Sequence, residues 1–203
     1  MRLLFAAIIC CATFNIASAQ FFKGWGIMAG ITPARQQWRG PLAEPGKHKF
    51  LIRYNAEVFG EFGDHPTFRW VTELQYNGKG DRFKTEAGTT KFKNDYFAWN
   101  NYLMIRKELF AVIPYVKIGP RLEYVWRTAQ NFNTLHITGS AGAGVEFVAF
   151  GPVKFLTEMH WVPDIPRSTN SDYLKIRQNA WELRVGIKFA FKGGSEACPP
   201  VYK

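Results

Sequence analysis

The histidines of this sequence have the clearest capacity for chemistry, because an imidazole becomes a general base when a nucleophile and an orienting acid lie beside it. There are four: His48, His65, His136 and His160. His136 shares a strand face with Ser140 and Glu146, but the step to Ser140 spans about 13 Å at strand rise, beyond hydrogen-bond reach. His160 is followed by Trp and Val, so no nucleophile lies two residues on. The sequence therefore predicts no catalytic residue and a protein that is not an enzyme.

The sequence predicts neither a metal site nor a bound cofactor. It has no Cys-x-x-Cys pair and no His-x-x-x-His spacing, which are common patterns of zinc ligands. No glycine-rich phosphate loop precedes a helix. His48 and His65 fall in predicted connections between strands, where we expect solvated rings.

Residues 1–19 have the pattern of a signal peptide. A basic start at Arg2 precedes an apolar run that extends to about Ile16, and the small-x-small sequence Ala-Ser-Ala follows. We predict cleavage between Ala19 and Gln20. The apolar run is shorter than the roughly 20 residues that a membrane-spanning helix needs. Only Cys198 remains after cleavage, so no internal disulfide is expected.

The rest of the chain predicts one all-β domain over residues 20–191. The composition, 47% hydrophobic and 21% charged, excludes a disordered chain. Segments of alternating hydrophobicity predict eight strands: 24–32, 50–62, 67–77, 96–107, 114–127, 136–147, 153–161 and 176–191. The connections at 33–49, 78–95, 128–135 and 162–175 are long or polar, and the three between them are short. This pattern is typical of an eight-stranded antiparallel up-and-down barrel.

Each predicted strand has one apolar face and one charged face, since successive side chains point to opposite sides. Arg, Lys and Glu occur on the charged faces in similar numbers, as is expected where buried charges pair across a closed lumen. The predicted lumen residues are Arg53, Glu57, Glu73, Lys117, Arg121, Glu123, Glu146, Glu158, Glu182 and Arg184. Glycines at 119, 142, 144 and 186 have the same parity, where they would make room for long charged neighbours.

Two architectures have this alternation. One is a soluble lipocalin-like ligand binder with its apolar face inside, and the other is a transmembrane barrel with its apolar face towards lipid. Trp and Tyr lie near the ends of the apolar faces, as at Tyr54, Tyr76, Trp126, Trp161 and Trp181. Such aromatic residues are typical of the two membrane interfaces. The sequence therefore favours the transmembrane barrel.

Several segments resemble the PorT-like outer-membrane β-barrel family. They are "FRWVTELQYNGKG", "IPYVKIGPRLEYV", "GSAGAGVEF", "FLTEMHWVPDI" and "WELRVGIKFAF", in the order in which that family has them. The barrel pattern predicts an outer-membrane location with both termini in the periplasm and a structural or accessory role. The resemblance is consistent with a role in protein secretion or surface assembly. Two departures are the tail after Phe191, residues 192–203, and the His-Trp pair at 160–161.

Two other functions stay open at this point. Barrel enzymes that deacylate lipid A are similar in size but carry His-x-Ser on a late strand, where this sequence has His-Trp-Val. A pore is disfavoured, because the interior of an eight-stranded barrel is just wide enough for side chains to fill it. A lateral or loop-gated path for a small hydrophobic solute is not excluded by this pattern.

The charge distribution suggests partners. Residues 33–49 contain four basic residues and one acidic residue, and residues 78–95 contain five and three. Basic loops at the cell surface would meet outer-membrane lipid and the phosphates of lipopolysaccharide. The tail 192–203 is predicted to offer a docking segment to a periplasmic or outer-membrane protein. Nucleic-acid binding is not predicted, because basic and acidic residues alternate and form no continuous stripe.

Overall fold

The fold consists of eight antiparallel strands that close into one ring. The structure, a computed structural model, describes residues 21–40, 46–86, 88–110, 112–128, 134–163 and 175–191. The strands are β1 (Phe22–Arg39), β2 (Lys47–Phe62), β3 (Phe68–Thr85), β4 (Gly88–Arg106), β5 (Val112–Thr128), β6 (Leu135–Phe150), β7 (Val153–Pro163) and β8 (Lys175–Ala190). The predicted cleavage site at Ala19 and Gln20 and the tail 192–203 lie outside the described residues.

Each strand pairs with its sequence neighbours, and β1 closes the ring by pairing with β8 from Gly24↔Ala190 to Arg39↔Lys175. Through the body of the barrel, closure gives every strand a partner on both sides. This is the condition for a sheet to cross lipid, because hydrocarbon offers no partner to an unpaired backbone group. The predicted eight-stranded up-and-down barrel is confirmed. No helix within the described ranges is long and apolar enough to cross a membrane.

The two ends of the barrel differ. At one end, short connections join β2 to β3, β4 to β5 and β6 to β7, and the first and last strands also begin and end there. Gly63 and Gly151 in these connections have φ values of 110° and 56°, the region that glycine adopts without strain. We call this the turn end and the opposite one the extended end.

The structure differs most from the prediction at residues 78–95, which were expected to form a loop. Strands β3 and β4 instead stay paired from Gly78↔Asp95 up to Thr85↔Gly88. Polar composition suggested a loop, but the alternation of faces continues, because Asp81 is buried and Arg82 is exposed. The wall of the barrel therefore rises well above the predicted ends of these strands.

Apolar side chains cover the outside of the barrel. Ile52, Leu74, Ile137 and Val185 are 61–66% exposed, whereas the Arg121 in the lumen is 0% exposed. This distribution is the reverse of that in a soluble barrel, so the lipocalin-like alternative is wrong. Aromatic rings pair on the outer face, including Trp25 with Phe189 near the turn end at 5.0 Å and Phe97 with Trp126 nearer the extended end at 5.5 Å. Aromatic rings at both ends are typical of a membrane barrel.

Replacing Leu183 by Arg tests which face meets lipid. Leu183 is exposed on the outer face of β8 and pairs with Met159 and Ile31. We expect Leu183→Arg to lower the free energy of unfolding by roughly 2–4 kcal/mol if the site lies near the bilayer midplane. The measurement is a urea titration of the barrel in lipid vesicles. Leu183→Met is the control and should cost less than about 1.5 kcal/mol, whereas equal effects of the two variants would exclude contact with hydrocarbon.

Candidate functional site: the charged lumen

Arg184 on β8 is the centre of the lumen. Its Nη1 lies 2.6 Å from Glu57 Oε2 and 3.1 Å from Glu73 Oε2, and it is 3.7 Å from a carboxylate oxygen of Glu158. Its Nη2 also contacts Glu182. All five side chains are fully buried. One guanidinium thus joins carboxylates from four strands, and its planar donor set is suited to this task.

Two further cations extend this arrangement along the lumen. Lys117 Nζ on β5 lies 2.5 Å from Glu158 and 3.0 Å from Glu73. Arg121, four residues further along β5, lies 2.6 Å from Glu123 and 3.0 Å from Glu182. The side chains of β5 therefore connect both sides of the lumen.

A fourth cation was missed in the sequence, because Lys79 fell in a predicted loop. Its Nζ lies 2.5 Å from Glu123 Oε1 and 5.0 Å from the ring centre of Tyr96. We refer to the connected set as the central cluster: Lys79, Lys117, Arg121, Arg184, Glu57, Glu73, Glu123, Glu158 and Glu182.

Neutral side chains complete the coordination of the carboxylates in the central cluster. Gln75 and Asn77 donate to Glu182, with a distance of 3.1 Å for Gln75. Tyr115 donates its hydroxyl to Glu158 at 2.6 Å. Hydrogen bonds of this kind offset the cost of removing a carboxylate from water. They also fill the cross-section of the barrel with side chains.

A separate set of charges lies near the turn end. Glu61 contacts Arg69 and Arg106 at 3.2 Å each, and it also contacts Lys188. Lys188 lies 2.7 Å from Glu146. Of the ten predicted lumen residues, Glu146 therefore belongs to this turn-end cluster, while eight belong to the central cluster.

Arg53, the remaining predicted lumen residue, contacts neither cluster. Its Nη2 lies 2.8 Å from Oδ1 of Asp95, and the exposed hydroxyl of Tyr76 also donates to Asp95. The pairing of β2 with β3 shifts by one residue between Phe50 and Asn55. A shift of this kind changes which residues share a face. Arg53 thus links β2 to β4 across β3 near the extended end.

The lumen glycines make room for rings as well as for charged side chains. A Cβ at Gly142 would lie 2.6 Å from the ring of His160, and one at Gly144 would lie 2.6 Å from the ring of Tyr115. Each ring comes from a strand adjacent to β6 and fills the space that a Cβ would take. The predicted reason for these glycines, space for long charged neighbours, is therefore incomplete.

The structure also brings Ser140 to His160, a pairing that the sequence did not reveal. Ser140 Oγ lies 3.3 Å from His160 Nδ1, and His160 Nε2 lies 2.9 Å from Glu158 Oε2. The order serine, imidazole, carboxylate is that of a nucleophile with its base and orienting acid. Ser140 is only 3% exposed and His160 is 0% exposed, however. The Ser140 hydroxyl is therefore shielded from solvent.

Three carboxylates of the central cluster converge as they would around a cation. One oxygen each from Glu57, Glu73 and Glu158 can be chosen so that all lie within 4.8 Å of one another. Arg184 contacts all three groups and Lys117 contacts two of them. The charge that a metal ion would supply is therefore present in the chain itself.

Comparison with known proteins shows the fold of this chain. No protein-family model matches it, and no curated protein matches its sequence. The outer membrane protein OprG from Pseudomonas aeruginosa is similar in structure, with a TM-score of 0.60 and 11% identity over 85% of this chain and 97% of that chain. Neisserial surface protein A has a TM-score of 0.53 and 12% identity over 82% and 97%. The outer membrane protein AlkL has a TM-score of 0.53 and 12% identity over 87% and 93%. The chain therefore has the fold of the small outer-membrane β-barrels.

Replacing Arg184 tests how far the barrel depends on the central cluster. Arg184→Met leaves buried carboxylates without their main counter-charge, so we expect a loss of about 3–5 kcal/mol in the free energy of unfolding. Arg53→Met is the matched control, because its ion pair is partly exposed and should contribute about 0–1 kcal/mol. Urea titration in lipid vesicles measures both. If Arg184→Met fails to fold, Glu123→Gln should still fold and lower the free energy of unfolding by about 1–3 kcal/mol. If the lumen variants cost no more than Arg53→Met, the barrel does not depend on the central cluster.

Proposed function

We propose that this protein is a non-enzymatic outer-membrane barrel that serves as a structural or accessory component of the membrane and does not conduct. The observation that carries the proposal is the continuous central cluster. Arg121, Arg184, Glu73 and Glu182 have exposed fractions of 0–1%, so water does not reach them from either end. Near the extended end, a cavity between Lys79 and neighbouring lumen residues has a volume of about 10 Å³, room for about one water molecule.

Three observations support an outer-membrane location with both termini in the periplasm. The outer face is apolar, and aromatic rings lie near both ends. The short turns are at the end where β1 starts and β8 ends, and short turns are the periplasmic feature of such barrels. The resemblance to the PorT-like family supports the finer proposal, a role linked to protein secretion or surface assembly.

Conductance measurements test the closed lumen. The purified barrel should show the heat-dependent gel migration of a folded barrel and no steady ion current in a planar lipid bilayer. The gel serves as the control that the protein is folded. Steady current through a barrel that has passed this control would contradict the proposal.

Fractionation of native membranes tests the location and the partners in one experiment. The protein should sediment with outer membranes, and after cross-linking it should co-purify with a component of secretion or surface assembly. Recovery as a soluble periplasmic protein would overturn the membrane location. An outer-membrane barrel that cross-links to no such component would overturn only the link to secretion.

The contact between Ser140 and His160 is the one observation that favours a second function, hydrolysis of acyl groups in lipid A. Burial of both residues argues against it, so we expect cells that overproduce the protein to keep an unchanged lipid A acylation pattern by mass spectrometry. Ser140→Ala should match the wild type. If the wild type changes lipid A acylation and the Ser140→Ala variant does not, the protein is an enzyme instead.

A further inference from the structure

The extended end carries a block of basic residues on the outer side of β2, β3 and β4. We call it the basic face: Lys47, Lys49, Arg82, Lys84, Lys91 and Lys93. All six residues are exposed, and the two cations on each strand are separated by a less exposed residue, His48, Phe83 or Phe92. Within the part of the chain that the structure describes, none of the six makes an ion pair with a carboxylate.

The register of the strands places like charges directly opposite one another on the basic face. Lys49 pairs with Arg82, and Arg82 pairs with Lys91 on the next strand. Lys47 pairs with Lys84 in the adjacent row. Like charges directly opposite each other destabilise a sheet. A bound polyanion would remove this repulsion. A surface that meets only water would be more stable with opposite charges in these positions.

The basic face is an ordered surface, because its inner side is packed. The rings of Trp38 and Phe83 are stacked with their centres 5.4 Å apart, and His48 lies 4.8 Å from Phe83. His48 Nδ1 lies 2.5 Å from Oδ2 of the buried Asp81. These contacts hold β1, β2 and β3 together above the barrel. A ligand would therefore meet cations whose spacing is already set.

The height of the basic face above the membrane indicates which class of lipid it meets. Tyr76 and Phe97 are exposed rings that mark the upper limit of the apolar surface on β3 and β4. Arg82 lies six residues beyond Tyr76, about 20 Å along the strand and about 15 Å along the membrane normal for a strand tilted by about 40°. The polar layer of a phospholipid leaflet is only about 5–8 Å thick. An anionic glycolipid with a tall saccharide headgroup reaches this height, and a phospholipid does not.

We propose that the basic face binds the phosphate groups on the saccharide headgroup of lipopolysaccharide. Lys and Arg are suited to phosphate oxygens, with which they form charge-assisted hydrogen bonds. The inference rests on the outer-membrane location proposed above, because that membrane holds lipopolysaccharide in its outer leaflet. It adds a named ligand class and a named surface to that function.

The test uses the full-length barrel in detergent micelles, titrated with purified lipopolysaccharide that retains its core phosphates. Arg82→Gln/Lys91→Gln should weaken binding about tenfold or more. Lys107→Gln/Arg177→Gln removes two other exposed charges and should bind like the wild type. Without lipopolysaccharide, Arg82→Gln/Lys91→Gln should melt at or above the wild-type temperature, because a like-charge contact is gone.

Two further ligands identify the chemistry. Lipopolysaccharide stripped of its phosphates should lose most of its affinity for the wild type. Phosphatidylglycerol, which is anionic but short, should bind the two double variants equally. Three results would overturn the proposal. They are equal weakening of lipopolysaccharide binding by both double variants, unchanged binding of the dephosphorylated lipopolysaccharide, and no binding by the wild type. Because the assay uses micelles, a barrel that binds but fails to fractionate with outer membranes would refute the location alone.

Discussion

A charge removed from water must have a partner of opposite charge, and the interior of this barrel depends on that constraint. Burying a single ion costs several kcal/mol, and the cost is offset only where geometry and hydrogen bonds are good. Arg184 meets this condition by contacting carboxylates from β2, β3, β7 and β8. The strand order, the register and the lumen glycines all serve to bring these groups together. Below the basic face, the outer surface can then be almost wholly apolar.

The same architecture separates two kinds of electrostatic surface. Inside the ring, positive and negative groups alternate around each ion, as where Lys117 lies between Glu73 and Glu158. On the basic face, the six exposed charged groups are all cations. The first arrangement is satisfied within the chain, and the second is open to an external anion. The lumen therefore supports the fold, and the binding site proposed above lies on the outer side.

Much of the fold could be predicted from the sequence, because the period-two alternation of β5 and β8 is strong enough to assign each residue to a face. Eight of the ten predicted lumen residues lie in the central cluster for this reason. What a single strand does not reveal is register. Ser140 meets His160 only through the pairing of β6 with β7, and the position of Arg53 depends on a one-residue shift between β2 and β3. Lys79 was missed because a polar hairpin has the composition of a loop.

The central cluster also has a consequence for how the barrel assembles. Glu57 and Arg184 stand 127 residues apart in the chain and become neighbours only when β8 pairs with β1. An open sheet of seven strands would present unpaired carboxylates to lipid, which is strongly unfavourable. Partly closed intermediates are therefore penalised, and insertion and closure become a single cooperative event. The folded ring should then open slowly, since no strand can leave without exposing charge.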